Sequence, residues 1–308
     1  MAPSAKILSC TDQTISLAGT PFESLQEMLP KKVNRKLIFE IGDSCCEMAN
    51  AIRRTLLSEM PVRHLTAALV DIKTTDPYLI GEAILKRIEM IPVAQSIDPT
   101  AKFSVRFENN TDECVDVRST EILQNGKTKS EDITPDIVIC DINPATEFVV
   151  SNIYVTESYG YDNSRVSIGS VGYEILDQDF NEPSLMASPS RFRMSIETPG
   201  ILDPVEMVQK AIDSLIERLK AVEHNSTATV EFGIYKLKIP NETFSIGRLI
   251  THYIVQVDKS VSYCASRIPH PSQREVIVDI MHPSGEALYK KAVEMALADL
   301  NVLRKIQA

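Results

Sequence analysis

Two adjacent arginines, Arg53 and Arg54, are the residues of this sequence whose chemistry points most directly to a function. A guanidinium group is planar, stays charged and offers several hydrogen-bond donors at once, and arginine is therefore enriched at protein interfaces. The surrounding residues predict a helix whose other face is apolar, so both side chains would project outward. A solvated helix face has the same composition, but the pair is also typical of contact with a large partner.

Catalysis and metal binding have no comparable signal. The sequence contains no nucleophile elbow G-x-S-x-G, no phosphate-binding loop and no G-x-G-x-x-G fingerprint. The five histidines form no H-E-x-x-H motif, and the six cysteines include no C-x-x-C pair of the kind that builds zinc sites. The spacing of the carboxylates singles out no acid–base pair. We therefore predict no catalytic residue, no metal and no cofactor, and we interpret Gly169-Ser170-Val171-Gly172 as a turn in a β-rich module.

The charge balance argues against sustained contact with nucleic acid. Acidic residues outnumber basic ones by 42 to 32, which gives a net charge of −10, and no block of five or six basic residues occurs. Nucleic-acid-binding surfaces usually carry a basic footprint. No stretch approaches the ~20 apolar residues of a membrane span, and no signal peptide is evident. We expect an intracellular protein with reduced cysteines, no membrane and no direct sequence-specific nucleic-acid contact.

The first part of the chain reads as alternating strands and short helices. Residues 36–41 alternate as in a strand. Ser44 and Glu47 can form the capping box of the next helix, which Pro61 ends. A second helix is predicted at 78–91.

Two long amphipathic helices follow later in the chain. Asp203 can cap the first, with Pro204 at its first position, and Ser284 can cap the last. In each helix the apolar residues recur every three or four positions, and such a stripe would be a liability in water. The simplest packing sets the two stripes near each other across a pseudo-two-fold axis. The residues predicted for this dimerisation contact are Ile52, Leu56, Val208, Ile212, Leu215, Leu219, Leu249, Tyr253, Val293, Ala296, Leu300 and Leu303.

These patterns predict an α+β fold with two related dimerisation modules, each an antiparallel sheet plus helices, and a β-rich insert domain. The two modules would pair within one chain by pseudo-two-fold symmetry. The predicted bounds are an N-terminal extension at 1–30, the first module at 31–95 plus 190–222, the insert at 96–189, a linker at 223–228 and the second module at 229–308.

Three stretches of the first module form a recognisable set: Asn50-Ala51-Ile52-Arg53-Arg54 through Glu59-Met60-Pro61, Ile84-Leu85-Lys86-Arg87-Ile88-Glu89-Met90-Ile91-Pro92, and Ile196-Glu197-Thr198-Pro199-Gly200. With them, the module resembles the α-like assembly subunits of cellular RNA polymerases, namely bacterial α, the archaeal D-type protein and the third subunit of the eukaryotic enzymes. In the second stretch, Lys86 and Glu89 stand where histidine and glycine are common in that family.

Two stretches of the second module carry a second resemblance: Thr243-Phe244-Ser245-Ile246-Gly247-Arg248-Leu249-Ile250 and Arg267-Ile268-Pro269-His270-Pro271. They resemble the archaeal L-type protein of the same enzymes and the eukaryotic eleventh subunit, although Phe244 and Arg248 depart from the leucine and asparagine that are usual there. Together the two resemblances cover roughly residues 35–308 in the right order.

The resemblance implies a non-catalytic platform of a DNA-directed RNA polymerase, present as one copy per enzyme. In cellular enzymes the two modules are separate chains that form a heterodimer, and the fusion resembles those of large DNA viruses of eukaryotes. The first module would dock the second-largest subunit, the second would face the largest, and small polymerase subunits would join them. Its place would be the host nucleus or a cytoplasmic viral factory, with packaging in the virion as a further option. The implied partner-binding residues are Asn50, Arg53, Arg54, Glu59, Arg87, Arg267 and His270.

The insert departs from the family in its cysteines. Relatives often carry a cysteine-rich zinc or iron–sulfur loop there, whereas this insert holds only Cys114 and Cys140, which agrees with the prediction of no metal. From the residues alone, two other functions stay open: an interaction scaffold unrelated to transcription, and a small-molecule enzyme with an unrecognised site.

Overall fold

The computed structural model describes residues 3–14, 16–21, 23, 34–94, 96–124, 128–129, 137–162, 168–177, 188–199 and 202–306. In chain order the strands and α-helices are β1 (Ser4–Gln13), β2 (Asn34–Gly42), α1 (Cys46–Arg54), β3 (Pro61–Ala67), β4 (Ile72–Thr74), α2 (Gly81–Ile88), β5 (Lys102–Glu108), β6 (Val115–Arg118), β7 (Leu123–Gln124), β8 (Thr128–Lys129), β9 (Val138–Ile142), β10 (Glu147–Tyr159), β11 (Ser170–Ile175), β12 (Phe192–Pro199), α3 (Pro204–Asn225), β13 (Thr227–Glu231), β14 (Ile234–Pro240), α4 (Phe244–Val257), β15 (Tyr263–Arg267), β16 (Glu275–Met281) and α5 (Gly285–Leu303).

The first half of the chain builds a four-stranded antiparallel sheet in the order β1-β2-β12-β11. In β2 the side chains of Leu37, Phe39 and Ile41 are buried on one face, as the two-residue period of a strand requires. The helices α1 and α3 pack against this sheet, and α1 continues into one π-helical turn at Thr55–Glu59. The sheet thus has one face covered by the helices that go on to meet the second half.

The second half repeats this topology strand for strand. Its sheet is antiparallel in the order β13-β14-β16-β15. Helix α4 follows its second strand and α5 follows its fourth, as α1 and α3 do in the first half. The predicted α+β class with two related modules is confirmed. None of the helices in the described part of the chain is long and apolar enough to cross a membrane.

The elements from β3 to β10 lie outside both four-stranded sheets and form the insert. Their main sheet has the order β3-β10-β5-β7-β8, with β4 also paired to β10, while β6 pairs with β9. The insert has a hydrophobic core of its own, in which Phe103 and Phe148 are among the buried side chains. It is a separate packing unit placed between α1 and β11.

The insert begins earlier than the predicted residue 96. Leu65 of β3 and both Ile84 and Ile88 of α2 belong to the core of the insert, not to that of the first module. Their local patterns are those of a strand and a helix, but a local pattern does not reveal which core an element faces. The insert also ends earlier than residue 189, because β11 pairs with β12 in the sheet of the first half.

Two further bounds differ from the prediction. Ser4–Gln13, predicted as part of an extension, is the edge strand of the first sheet. The predicted linker at 223–228 is not a loop, because α3 extends to Asn225 and β13 already starts at Thr227. Ser284 precedes α5 as predicted, but its side chain makes no capping hydrogen bond.

The N-cap residues of α1 and α3 test the capping predictions. Cys45, not Ser44, caps α1, and its Sγ accepts a hydrogen bond from the Met48 amide at 3.4 Å. Asp203 caps α3 as predicted, because its carboxylate accepts hydrogen bonds from two amides of the first turn. The second predicted helix is shorter and spans Gly81–Ile88.

Gly169 gives a direct test of the first sheet. It lies just before β11 with φ of +138°, and a Cβ there would be 1.8 Å from the carbonyl oxygen of Glu197. Gly169→Ala is expected to lower the free energy of unfolding by ~1–3 kcal/mol or more, since backbone and carbonyl must both shift. Gly172→Ala is the matched control, because a Cβ there meets nothing within 4 Å. Equal melting temperatures of the two variants in differential scanning calorimetry would contradict this assignment.

Candidate functional site: the contact between the two halves

Equivalent helices of the two halves contact each other. Helix α1 packs against α4, and α3 packs against α5. Each pair joins elements that hold the same position in the repeated topology, which is the pattern of an isologous two-fold contact. We call the contact made by these four helices the seam.

One hydrophobic core runs through the seam without interruption. Its buried members extend from Leu37 on β2 to Ile306 just after α5. Ala5 and Ile7 of β1 also pack against it. Because burial of one leucine- or isoleucine-sized side chain is worth ~1.5–3 kcal/mol as an upper estimate, opening the seam would be strongly unfavourable.

The residues predicted for dimerisation all lie in this core. None of them is more than 9 % exposed, and they come from all four helices of the seam and from the π-helical turn. In chain order they are Ile52, Leu56, Val208, Ile212, Leu215, Leu219, Leu249, Tyr253, Val293, Ala296, Leu300 and Leu303.

A buried carboxylate, Glu59, lies at the edge of the seam and is 5 % exposed. The hydroxyl groups of Thr243 and Ser245, at the start of α4, donate to its Oε1 at 2.9 and 2.8 Å. Arg54 Nε donates to the same oxygen at 3.1 Å. Arg218 Nη1 donates to Oε2 at 2.9 Å. The carboxylate therefore accepts hydrogen bonds from both halves of the chain.

Arg218 on α3 links Glu59 to a second carboxylate. Its Nε and Nη2 donate to the carboxylate of Glu242 at 3.1 and 2.6 Å. Glu242 precedes α4 and is 9 % exposed. The guanidinium group thus lies between one buried acid of each half, in the forked geometry that makes arginine–carboxylate pairs strong.

The charge of Arg218 keeps Glu59 ionised. Burial alone would raise the pKa of Glu59, but the Arg218 charge and the hydrogen bonds from Arg218, Ser245 and Thr243 outweigh it, so the pKa lies below its ordinary value of 4.5. Burial would lower the pKa of Arg218, but Glu242 and Glu59 reverse this effect and raise it.

Another cross-half contact joins α1 to α4. His252 Nδ1 lies 3.2 Å from Glu47 Oε2. Hydrogen bonds with Cys45 and Glu47 raise the pKa of His252 to about 10, although its burial opposes the shift. The bond from His252 also lowers the pKa of Glu47. Among the described residues, Cys45, Glu47 and His252 form a group that could hold a metal ion, since their ligand atoms lie within 4.8 Å of one another.

The predicted partner-binding residues lie on several parts of the molecule. Asn50, Arg53 and Arg54 are half-buried neighbours at the end of α1. Arg53 Nε and Nη2 donate to Asn50 Oδ1 at 3.1 and 2.9 Å, which fixes the orientation of its guanidinium group. The prediction that Glu59 contacts a partner is wrong, because its carboxylate is buried and bound by donors of the same chain.

The remaining predicted residues are exposed. Arg87 lies on α2 in the insert. Arg267 lies on β15, where its Nε donates to Asp279 Oδ2 at 2.9 Å. His270 lies in the following turn and accepts a hydrogen bond from the Ser272 amide at its Nδ1. The arginine pair of α1 is bonded instead to Asn50 and Glu59.

The sequence prediction missed the acid–arginine cluster. Arg218 lies between Leu215 and Leu219, which both belong to the predicted apolar stripe. A charged side chain next to an apolar stripe must be solvated or paired. The position of Arg218 in the sequence could therefore have indicated an ion pair. Nothing in the sequence, however, indicates that its partners are Glu59 and Glu242.

The sequence model of the RNA polymerase Rpb3/Rpb11 dimerisation domain matches residues 38–219. The chain belongs to this family. The matched range includes α1, the whole insert and most of α3, and the second half beyond it repeats the same topology.

Similar proteins are subunits of DNA-directed RNA polymerases. The African swine fever virus protein named DNA-directed RNA polymerase RPB3-11 homolog is 20% identical over 350 residues, which cover 97% of this chain and 94% of the relative. Subunit Rpo3 of Pyrococcus horikoshii is 28% identical over 153 residues, or 47% of this chain and 57% of its own. Subunit 3B of the Arabidopsis thaliana polymerases IV and V is 29% identical over 128 residues, or 41% of this chain and 39% of its own. The resemblance to α-like polymerase subunits, fused as in a large DNA virus, is confirmed.

Removing the central arginine should destabilise the chain strongly. Arg218→Met leaves two buried carboxylates without their shared cation, so we expect a loss of ~3–5 kcal/mol in the free energy of unfolding. Urea denaturation measures it. Lys220→Met, on the exposed side of the same helix, is the control and should stay within ~0.5 kcal/mol of wild type. Similar losses in the two variants would show that the cluster does not stabilise the seam.

The ionised carboxylate of Glu59 should also make the stability of the chain depend on pH. Because its folded-state pKa is depressed, its stabilising contribution is fully present above the ordinary value of 4.5 and is lost as the pH falls through the lower folded value. Glu59→Gln should therefore be less stable than wild type at neutral pH and should lose less stability on acidification below 4.5. Urea midpoints across this range measure the effect, with exposed Glu217→Gln as the control. Parallel acid profiles of wild type and Glu59→Gln would contradict it.

Proposed function

We propose that this chain is the non-catalytic assembly platform of a DNA-directed RNA polymerase. The observation that carries the proposal is the seam, in which two halves of the same topology share one hydrophobic core. Such a chain completes the paired module without a second subunit, so one copy per enzyme suffices. The names of the relatives agree with this role, since each is a polymerase subunit.

The first half is proposed to dock the second-largest subunit through Asn50, Arg53 and Arg54. These residues are neighbours on α1, and Arg53 is held by Asn50 through two hydrogen bonds. A side chain that is already oriented loses less conformational entropy on binding. The charge of Arg54 is paired with the carboxylate of Glu59, whereas Arg53 donates to the uncharged amide of Asn50. Arg53 is therefore the better candidate to pair with an acidic group of a partner.

The second half is proposed to face the largest subunit. Arg267 and His270 are exposed on β15 and in the turn after it. Arg87 on α2 offers an exposed cation on the insert, and we propose it as a contact to a large or small subunit. Exposed arginine is favoured at interfaces because its planar group makes several directional bonds.

Catalysis and nucleic-acid binding are proposed to belong to those partners. The net charge of −10 opposes sustained contact of this chain with DNA or RNA. The proposal places the protein inside the infected cell, in the host nucleus or a cytoplasmic viral factory, with virion packaging as a further site.

Affinity capture of the native protein tests this function. We expect it to recover two very large subunits together with template-dependent RNA synthesis. Recovery of other proteins without this activity would favour a scaffold unrelated to transcription. Recovery of no partner, with turnover of a small molecule, would favour an enzyme.

Charge reversal of Arg53 tests the docking surface. Arg53→Glu should weaken capture of the second-largest subunit at least ~10-fold, because like charges would meet where a cation was bound, while the melting temperature stays close to wild type. Arg106→Glu is the matched control, since Arg106 is a 74% exposed arginine on β5 of the insert. Equal capture by the two variants would place the docking surface elsewhere.

A further inference from the structure

Three potential metal ligands meet across the seam. Cys45 and Glu47 lie at the start of α1, and His252 lies in the middle of α4. One ligand atom from each lies within 4.8 Å of the other two. Thiolate, imidazole and carboxylate are the donor groups that zinc uses in proteins. Because the three residues come from both halves of the chain, no linear motif reveals them.

The spacing of these atoms is close to that of a tetrahedral zinc site. Zinc–ligand bonds of ~2.0–2.3 Å put neighbouring ligand atoms ~3–4 Å apart, so small side-chain rotations would suffice. The Nδ1 of His252 and the nearer oxygen of Glu47 are already 3.2 Å apart. Two anionic ligands, the thiolate and the carboxylate, would offset the charge of the ion.

The Sγ of Cys45 is held in place by its own helix. It accepts the Met48 amide hydrogen at 3.4 Å at the start of α1. An amide donor to a coordinating sulfur is also the kind of outer contact that orients metal ligands. Cys45 is 9% exposed, so its position is fixed by packing.

The group also has access to solvent. The side chains of Glu47 and His252 are 33% and 23% exposed. Glu47 lines a cleft of about 260 Å³ between the halves, together with Asn50, Arg54 and Arg248. A water molecule can therefore complete a four-ligand set, and an ion can reach the site from outside.

We propose that Cys45, Glu47 and His252 bind one zinc ion that bridges the two halves of the chain. The thiol and the imidazolium each release a proton to solvent on binding, and water supplies the fourth ligand. Since the ligands meet only when α1 packs on α4, binding of zinc and closure of the seam stabilise each other. This inference revises the prediction of no metal, and it does not depend on the proposed role in transcription.

Metal analysis of the full chain tests the site. After expression with added zinc and dialysis into metal-free buffer, elemental analysis should find one zinc per wild-type chain. Cys45→Ser keeps an oxygen acceptor that can cap α1, and His252→Gln keeps a donor for Glu47. Both variants should lose the zinc, and zinc titration should show affinity reduced at least ~100-fold, beyond the ~10–100-fold effect of an outer contact. The matched controls are Cys46→Ala and His282→Gln, which change the same residue types outside the group.

A cobalt titration gives a second measurement on the folded protein. Wild-type chain with Co²⁺ should show a thiolate-to-metal charge-transfer band that Cys45→Ser lacks, and added zinc should raise the melting temperature of wild type but not of either ligand variant. Absence of zinc in wild type, with no band and no thermal shift, would overturn the proposal and leave only the His252–Glu47 ion pair. Equal zinc in wild type and both variants would also overturn it, since the metal would then be bound elsewhere.

Discussion

The burial of four helices in one core shared by both halves is the interaction on which the rest of this structure depends. In an isolated half, the apolar surface of these helices that now lies against the other half would be exposed. Hydrophobic burial supplies the driving force but little directional information. The cluster of Glu59, Arg218 and Glu242 supplies direction, because its bonds form only when the π-helical turn, α3 and the start of α4 are correctly placed.

In the proposed function, this arrangement lets one chain take the place of two paired subunits. The paired modules use their helices on each other, so docking is proposed to use other surfaces. The insert has its own core, and Val62 of its first strand also reaches the core of the seam. In this view Asn50 and Arg53 act at the outer end of α1, while the apolar residues of the same helix hold the halves together. One short helix thus connects internal assembly to the proposed external docking.

Features of the fold that depend on neighbouring residues could be predicted from the sequence. Features that depend on contacts between distant parts of the chain could not. The alternation of β2, the Asp203 cap and the stripes of α3 and α5 depend on neighbours within a few residues, and they agree with the structure. The assignment of β3 and α2 to the insert core depends on tertiary packing, which periodicity does not encode. Glu59 was mistaken for a surface residue for the same reason, because its donors lie up to 186 positions away in the chain. The grouping of Cys45 and Glu47 with His252 was equally hidden.

The most direct test of the shared core is to divide the chain where the two halves join, after Asn225 and before Thr227. Residues 1–225 and 226–308 would be expressed together as separate polypeptides, with an affinity tag on one of them. We predict that the two pieces purify as a stable one-to-one complex, and that each piece made alone aggregates or stays unfolded. Recovery of two folded monomers that do not associate would contradict the account.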